Sequence, residues 1–341
     1  MTTIEPFDAA TASDDELRDY YVLDVALEHE VEPDDPTPPF ERAALDYREP
    51  PSWTSHRRWV ARDERGGIVG RARLDLKYLE SNRHIAEFDI GVHTEHRRHG
   101  IATQLLRPLV EAAAADGRSI LESWTSVDTP GDAFAASLGQ DTRYVERRSR
   151  LEIGGLDRTM LEDWTVRAKE RAADYSLIGF DVVCPDDLLD RYLAAIDVMN
   201  TAPREDLEME DDHETPERLR EREARAIKRG DVGWSLLARH DPTGHIAGFT
   251  EIEWVSYATD LAWQGGTAVD PGHRDKGLGR WLKAAMLLRL LDERPNIRRI
   301  DTWNAGTNEP MLAINIALGF APVKYYNARQ FPTAELAARL G

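Results

Sequence analysis

A clear helical pattern begins at Leu278: Trp281, Leu282, Ala285 and Met286 follow at helical spacing, and only Arg289 breaks the apolar stripe. The same period predicts helices over 13–28, 40–47, 159–173, 185–199 and 215–229. Ser13 and Asp14 are capping candidates for the first of these. Its apolar face carries Leu17, Tyr20, Tyr21 and Leu27, with Asp24 interrupting it. Leu161, Trp164, Ala168 and Ala172 share one face of the helix at 159–173, which reads as a connector. Thr215 caps the charged helix at 215–229, with Pro216 in its first turn. Between the helices the pattern shortens to runs of strand length at 1–6, 56–62, 68–76 and 85–92, the last with Glu87 and Asp89 inserted. Further strands are predicted at 174–183, 234–240, 245–253, 262–269 and 300–304. Arg65-Gly66-Gly67 and Pro242-Thr243-Gly244 are hairpin turns.

The candidate chemistry lies where a strand passes into a helix, at 267–280. An apolar run ends at Val269, a turn with Pro271 and Gly272 follows, and Arg274-x-x-Gly277-x-Gly279 opens the helix. The first turn of a helix has unpaired N–H donors and the positive end of the dipole. Two residues without Cβ let an anion approach that main chain closely. Arg274, Lys276 and Arg280 add positive charge, so a phosphate group is the ligand this turn suits. It is neither of two better-known nucleotide motifs: Leu282 stands where a third glycine would be, and no Gly-Lys-Ser/Thr run exists.

The stretch occurs twice. Val92 is followed by Arg97-Arg98-His99-Gly100-Ile101-Ala102 and a second apolar-periodic helix. Downstream, Glu122-Ser123-Trp124-Thr125 matches Asp301-Thr302-Trp303-Asn304, and Leu138-Gly139 matches Leu318-Gly319. Arg97 and Arg274 lie about one domain length apart, so the chain carries one internal duplication. The first copy departs from the second. Ala102 replaces the last glycine, Pro108 sits inside the expected helix, and Thr125 and Gln140 replace Asn304 and Phe320. An interior proline typically costs a helix about 3 kcal/mol or kinks it.

Composition narrows the partners. The 341 residues suit two domains. A net charge of −19 argues against nucleic acid and anionic membrane and favours cationic ligands. The single Cys184 excludes an intrachain disulfide and a cysteine-cluster zinc site. His93, His96 and His99 cluster without a supporting carboxylate pattern, so no metal is expected. No apolar run reaches the roughly 20 residues of a membrane span, and the acidic N-terminus lacks a signal-peptide pattern. The expectation is a soluble, cytoplasmic monomer or homodimer.

With the loop, the strand at 300–304, a helix start at Asn308-Glu309-Pro310-Met311 and a glycine-closed end at Leu318-Gly319-Phe320, the chain resembles the GNAT superfamily of N-acyltransferases. The likeness is strong over 245–323 and moderate over 57–138, and it is nearest the tandem actinobacterial members. It implies a mixed-sheet α/β fold of two tandem GNAT domains: a degenerate one at 1–156, a connecting helix at 157–173, and a catalytic one at 174–341. It also implies acetyl-CoA as co-substrate. In this family the strand before the loop parts from its neighbour and pantetheine lies in the gap. The backbone of Thr267, Ala268 and Val269 would then pair with pantetheine amides. The loop from Arg274 through Asp275, Lys276, Gly277, Leu278, Gly279 and Arg280 would hold the pyrophosphate, and Asn304 and Asn308 would reach the pantetheine arm from the other side. Val92, Arg97, Arg98, His99, Gly100, Ile101 and Ala102 are the counterparts in the first half.

The implied chemistry is attack of a neutral amine on a thioester. An alkylammonium has a reference pKa near 10.4, so a base or a water relay must take its proton. Glu251 and Glu253 share one face of a strand. Glu251, after Gly248-Phe249-Thr250, is the preferred base, although a solvated strand face explains both as well; Glu87 holds the comparable place in the first half. The residue that usually protonates the leaving thiolate is a tyrosine, and the matching positions here are Asn315 and Ala135. An amide donates a hydrogen bond but is no acid at neutral pH, which leaves an unassisted thiolate, or Tyr325 or Tyr326. The expected function is N-acetylation of a small primary amine, such as an amino sugar, antibiotic or thiol precursor. The alternative is an acyl-CoA-binding or sensory protein with decayed sites. The acidic run 205–212 is either a solvated loop or a negative rim that concentrates a cationic amine. Trp254, Tyr257 and Trp263 either wall an acceptor pocket or pack in the core.

Overall fold

The alternation of short β-branched runs with capped amphipathic segments yields two similar series of elements in the computed structural model, which describes residues 2–341. The first series is β1 (Thr3–Pro6), α1 (Asp14–Val31), α2 (Phe40–Arg48), β2 (Thr54–Arg62), β3 (Ile68–Lys77), β4 (Ile85–Val92), α3 (Ile101–Ala115), β5 (Ile120–Ser126), α4 (Pro130–Ser137) and β6 (Tyr144–Glu152). A connecting helix, α5 (Arg158–Arg171), leads into the second. That series runs β7 (Tyr175–Asp181), α6 (Leu189–Ile196), α7 (Pro216–Arg229), β8 (Val232–His240), β9 (Ile246–Trp254), β10 (Leu261–Val269), α8 (Leu278–Glu293), β11 (Arg299–Ala305), α9 (Glu309–Leu318), β12 (Ala321–Pro332) and α10 (Thr333–Leu340). Of the strand expected at 1–6, Met1 lies outside the described residues.

Local chemistry sets the boundaries. Ser13 and Glu16 form the capping box that starts α1, each side chain bonding the other's backbone N–H at 3.3 and 3.0 Å. Thr215 caps α7 with Pro216 at its first position, and Gly230 ends it at φ +70°. The helix expected at 185–199 is shorter: α6 stops at Ile196 and tightens into a 3-10 turn over Asp197–Thr201. Pro108 does not end α3, because Leu105, Leu106, Leu109 and Val110 on either side of it are buried.

The duplicated halves exchange their last strands. The first unit ends at Val145 and adds Glu205–Glu210 and Tyr325–Gly341; the second holds Glu146–Arg204 and Asp211–Lys324. The first unit therefore has the strand order β1-β2-β3-β4-β5-β12, and the second β6-β11-β10-β9-β8-β7. In the first, β12 runs antiparallel to β5 from Tyr326↔Ser126 to Pro332↔Ile120. In the second, β6 runs antiparallel to β11 from Glu152↔Arg299 to Glu146↔Ala305. These units divide the chain differently from the contiguous boundaries at 156 and 174, because each half's sheet is completed by a strand encoded in the other half.

Each sheet is covered on both faces. In the first unit, α3, α4 and α10 pack with Leu74, Leu121 and Phe331 on one face, and α1 and α2 pack on Val60 on the other. In the second, α8, α9 and α5 cover Ile252 and Ile300, while α6 and α7 cover Leu237 and Phe249. Trp254 belongs to this core, edge-on to Trp234 at 4.9 Å. Asp301 is fully buried between Arg148 and Arg150 of β6, which bond it at 2.9 and 2.8 Å. These guanidiniums outweigh burial and hold its carboxyl below the usual range. The acidic run is split: Glu208 and Glu210 are fastened to the first unit by Gln330 and Asn82 at 2.8 and 2.7 Å. No helix among the described residues is long and apolar enough to cross a membrane.

Candidate active sites

The two glycine loops fold alike. Arg98 and Gly100 have φ of +65° and +77°, and Asp275 and Gly277 have +64° and +83°. A left-handed non-glycine residue costs on the order of 1 kcal/mol, yet the same position has it in both loops. Alternating handedness of this kind turns successive N–H groups towards one point, a concavity suited to an anion. Gly100 and Gly277 are the N-caps of α3 and α8, and neither helix start has a capping side chain. A Cβ built on Gly277 would meet nothing within 4 Å, so the space over the loop is open. The residues fit a phosphate group on all three counts.

The arginine that opens each motif is committed elsewhere. Arg97 Nε donates to the Val92 carbonyl at 2.9 Å, and its fork holds Glu30 of α1 at 2.7 and 2.6 Å. Arg274 Nε donates to the Val269 carbonyl at 3.2 Å, and its Nη2 to Thr201 at 3.2 Å. Both clamp the loop to the strand before it. Arg280 lies over the Trp164 ring at 5.3 Å. The anion would meet backbone N–H groups first.

In the second unit, β10 and β11 pair in parallel only from Leu261↔Arg299 to Trp263↔Asp301, and then separate. Thr302 Oγ1 donates to the Gln264 carbonyl at 3.4 Å at the point of parting. Beyond it, Thr267, Ala268 and Val269 pair with β9 on one side and leave their other backbone edge open. Register slips between Gln264 and Thr267, and Gly265-Gly266 form the bulge. Glu251 lies beneath: a Cβ on Gly266 would sit 3.1 Å from its Oε2, and one on Gly265 3.4 Å from its Cβ. Tyr192 of α6 donates its hydroxyl to Glu251 Oε1 and lies 3.4 Å from Ser235 Oγ. Burial, then the Glu251 charge, push the Tyr192 phenol far up, so it stays a donor. Glu253, two residues on, is exposed.

Across the gap, Asn308 caps α9 by accepting from Met311 N at 3.4 Å. Asn304 Oδ1 accepts from Asn315 Nδ2 at 2.8 Å. Asn315 is fully buried, and its Oδ1 has no hydrogen-bond partner among the described residues. A buried, unpaired acceptor at the position expected to meet the thiol suits an S–H donor.

The first unit contains a cavity of about 740 Å3. Here β4 and β5 pair only from Ile85↔Ile120 to Glu87↔Glu122, and the cavity opens beyond that point along Asp89–Val92. Arg97, Arg98, Gly100, Ile101 and Ala102 line it, as do Trp124 and Thr125. Of the predicted residues in this loop, Val92 is buried at its edge, and His99 lies against the His96 carbonyl at 3.3 Å. β4 shows no register slip against β3. Glu87 is ion-paired to Lys77, and Thr125 bonds Asp132 at 3.0 Å. Tyr326 lies in this cavity, bonded to Glu32, and so does not serve the second unit; Tyr325 is exposed.

Sequence reasoning missed Tyr192 and Lys283. Tyr192 sits on a helix whose role at the site depends on which sheet face it covers, which spacing does not give. Lys283 was findable: it falls four residues after Gly279 on the buried side of α8. It is buried with no carboxylate partner among the described residues, 5.9 Å from the Phe320 ring, and burial pushes its amine down to about 7.

A family model described as the acetyltransferase (GNAT) family matches residues 22–139 and 196–320. Among solved structures, a tandem GNAT protein from the clavulanic acid biosynthesis pathway, solved without AcCoA, is similar at TM-score 0.77 and 26% identity, covering 98% of this chain and 99% of that one. A GCN5-related N-acetyltransferase from Sphaerobacter thermophilus shares the fold at TM-score 0.66 and 12% identity, covering 97% and 96%. No curated protein matches the chain in sequence.

Proposed function

Because the chain belongs to the acetyltransferase (GNAT) family, we propose that its second unit transfers the acetyl group of acetyl-CoA to a primary amine of a small molecule. The thioester supplies an activated acyl group. The open edge of Thr267–Val269 would take the pantetheine amides, and the N–H groups from Asp275 to Arg280 the pyrophosphate. Glu251 takes the proton that the amine must lose before it attacks. Tyr192 holds that carboxylate beside the Gly265–Gly266 bulge. The observation that carries this reading is the coincidence at one point of the parted strands, the bulge and a tethered carboxylate.

One feature favours the alternative, an acyl-CoA-binding protein without turnover: at the position where the family resemblance expects a tyrosine acid, this chain has Asn315. The two readings separate on thiol release from acetyl-CoA with aminoglycosides, amino sugars and polyamines as acceptors. Amine-dependent release with an N-acetylated product supports transfer. Binding of acetyl-CoA without release on any acceptor supports the alternative.

A further inference from the structure

The 3-10 turn that carries β10 into the second unit's phosphate loop, Pro271–His273, is fastened at both ends. At its start, Asp270 accepts from the Gly272 N–H at 2.8 Å and holds His245 Nε2 at 2.9 Å. At its end, His273 Nδ1 lies 2.6 Å from the hydroxyl of Tyr175, the first residue of β7. The chain runs directly from His273 through Arg274 into the left-handed Asp275 and Gly277. What holds His273 therefore sets where the loop begins.

Three imidazoles and a phenol meet at this point. The His273 ring lies 5.3 Å from that of His240 and 5.1 Å from that of His245. Tyr175 packs on His240 at 5.0 Å and on His273 at 5.7 Å. No group of three or more His, Cys, Asp or Glu among the described residues could hold a metal ion, so these rings are not a ligand set. Burial and then the His245 charge hold His273 below the ordinary histidine value; Asp270 opposes them, and His240 and Lys276 add to them. Burial and then Asp174 push the Tyr175 phenol up. The phenol thus donates and a neutral His273 accepts. Burial would raise the Asp270 carboxyl, but the Gly272 N–H and His245 hold it below the usual range. The remaining charges around the turn are engaged: Arg239 with Asp241 at 3.0 Å, Arg191 with the Gly244 carbonyl at 3.3 Å, and Arg171 of α5 with the Asp275 carbonyl at 3.5 Å. A proton on His273 Nδ1 removes the acceptor that Tyr175 uses. It also sets a positive charge against two imidazoles and Lys276, with Asp270 already shared with His245.

We propose that the Tyr175–His273 pair positions the second unit's phosphate loop, and that protonation of His273 releases it, so that anion binding there weakens on acidification. This role rests on the acyl-CoA reading above. A released His273 regains the ordinary value of about 6.5. Below that pH the released loop binds a proton that the fastened loop does not. Affinity is therefore fully present above about pH 6.5 and falls as pH drops, by at most about tenfold per pH unit for one proton. Attraction between a charged imidazole and phosphate works the other way, and physiological salt screens it over about 8 Å.

The test uses full-length protein carrying Gly100→Asp, so that the second loop is the one titrated, at physiological salt. Acetyl-CoA binding is measured by calorimetry at about pH 7.5 and about pH 5.5, in this parent and with His273→Asn added. The asparagine amide oxygen accepts from Tyr175 but takes no proton. Phosphates also titrate near pH 6, so the reading is the difference between the two proteins. They should bind within about twofold of each other at the higher pH, and the parent should lose about three- to tenfold more affinity at the lower. Near pH 6 the parent should release more protons on binding than His273→Asn does. Without ligand, amide hydrogen exchange over 270–280, relative to the intrinsic rate, should rise on acidification in the parent alone. Equal losses of affinity in the two proteins overturn the proposal, as does net proton uptake by the parent relative to the variant. If acetyl-CoA binds at neither pH, the acyl-CoA reading fails and hydrogen exchange decides alone: opening confined to the parent supports the pair's role, and its absence overturns it. Should His273→Asn misfold, Tyr175→Phe takes its place, with weaker binding at the higher pH and a flatter profile expected; a profile identical to the parent's overturns the proposal.

Discussion

At the scale of single residues, two side chains, Glu251 and Lys283, are held in settings that set their protonation and reach. Glu251 can take an amine proton only while its carboxylate stays beside the bulge, and Tyr192 tethers it there. Tyr192→Phe removes the tether and leaves the rest of the site intact. Turnover should fall about 10-fold with acetyl-CoA affinity unchanged, a loss of the size associated with misplacing a general base. Equal loss of affinity would mean that Tyr192 shapes the thioester slot instead. Lys283 makes a different claim. Its amine titrates near 7 in the folded protein but near 10.4 in an unfolded chain. From about pH 7 to pH 10 the unfolded state thus binds a proton that the folded state does not. Stability rises with pH across that window and is lost as pH falls back to 7. Lys283→Met removes the penalty, worth about 1.4 kcal/mol for each tenfold change in proton affinity. The variant should melt higher at pH 7, with the gap to wild type closing towards pH 10. A gap independent of pH would show that packing, not charge, sets the difference.

At the scale of elements, the strand–loop–helix unit was the most legible part of the sequence. Glycine spacing predicted the open helix start, and the structure adds the paired left-handed residues Arg98 and Asp275, a conformation unfavourable for an arginine and more readily adopted by an aspartate. The arginines were legible as residues but not in their roles. Their charge suggested phosphate contacts, whereas geometry assigns Arg97 and Arg274 to the strand carbonyls and to the segments above them. The two loops also allow a comparison in one molecule. An aspartate at Gly277 adds bulk in the open space over the loop and a charge that repels phosphate. Gly277→Asp should remove most thiol release, and Gly100→Asp should leave most of it, in proteins shown to be folded. The opposite pattern would move the main activity to the first unit.

For the whole molecule, the duplication was legible and the strand exchange was not. Alternation identifies β6 and β12 as strands, but nothing in their patterns says which sheet each joins; pairing across more than a hundred residues is settled by the tertiary fold. The exchange makes a contiguous half incomplete. Residues 1–156 lack β12 beside β5, and 174–341 lack β6, which leaves Asp301 buried without Arg148 and Arg150. Removing the partner of a buried charge typically destabilises by about 3–5 kcal/mol. Neither half made alone should show a cooperative melt, and a sharp transition in either would mean that the exchanged strand is dispensable. The acidic run illustrates the same gap: as a loop it was readable, but its attachment to Asn82 and Gln330 of the first unit was not. The central claim remains that Glu251 serves acetyl transfer in the second unit. Its most direct test is product formation from acetyl-CoA and an acceptor amine, followed by mass spectrometry in a Gly100→Asp background that silences the first unit. The expected result is N-acetylated product in that background and a loss of at least 100-fold on adding Glu251→Gln, with acetyl-CoA still bound. Undiminished product from the Glu251→Gln protein would contradict it.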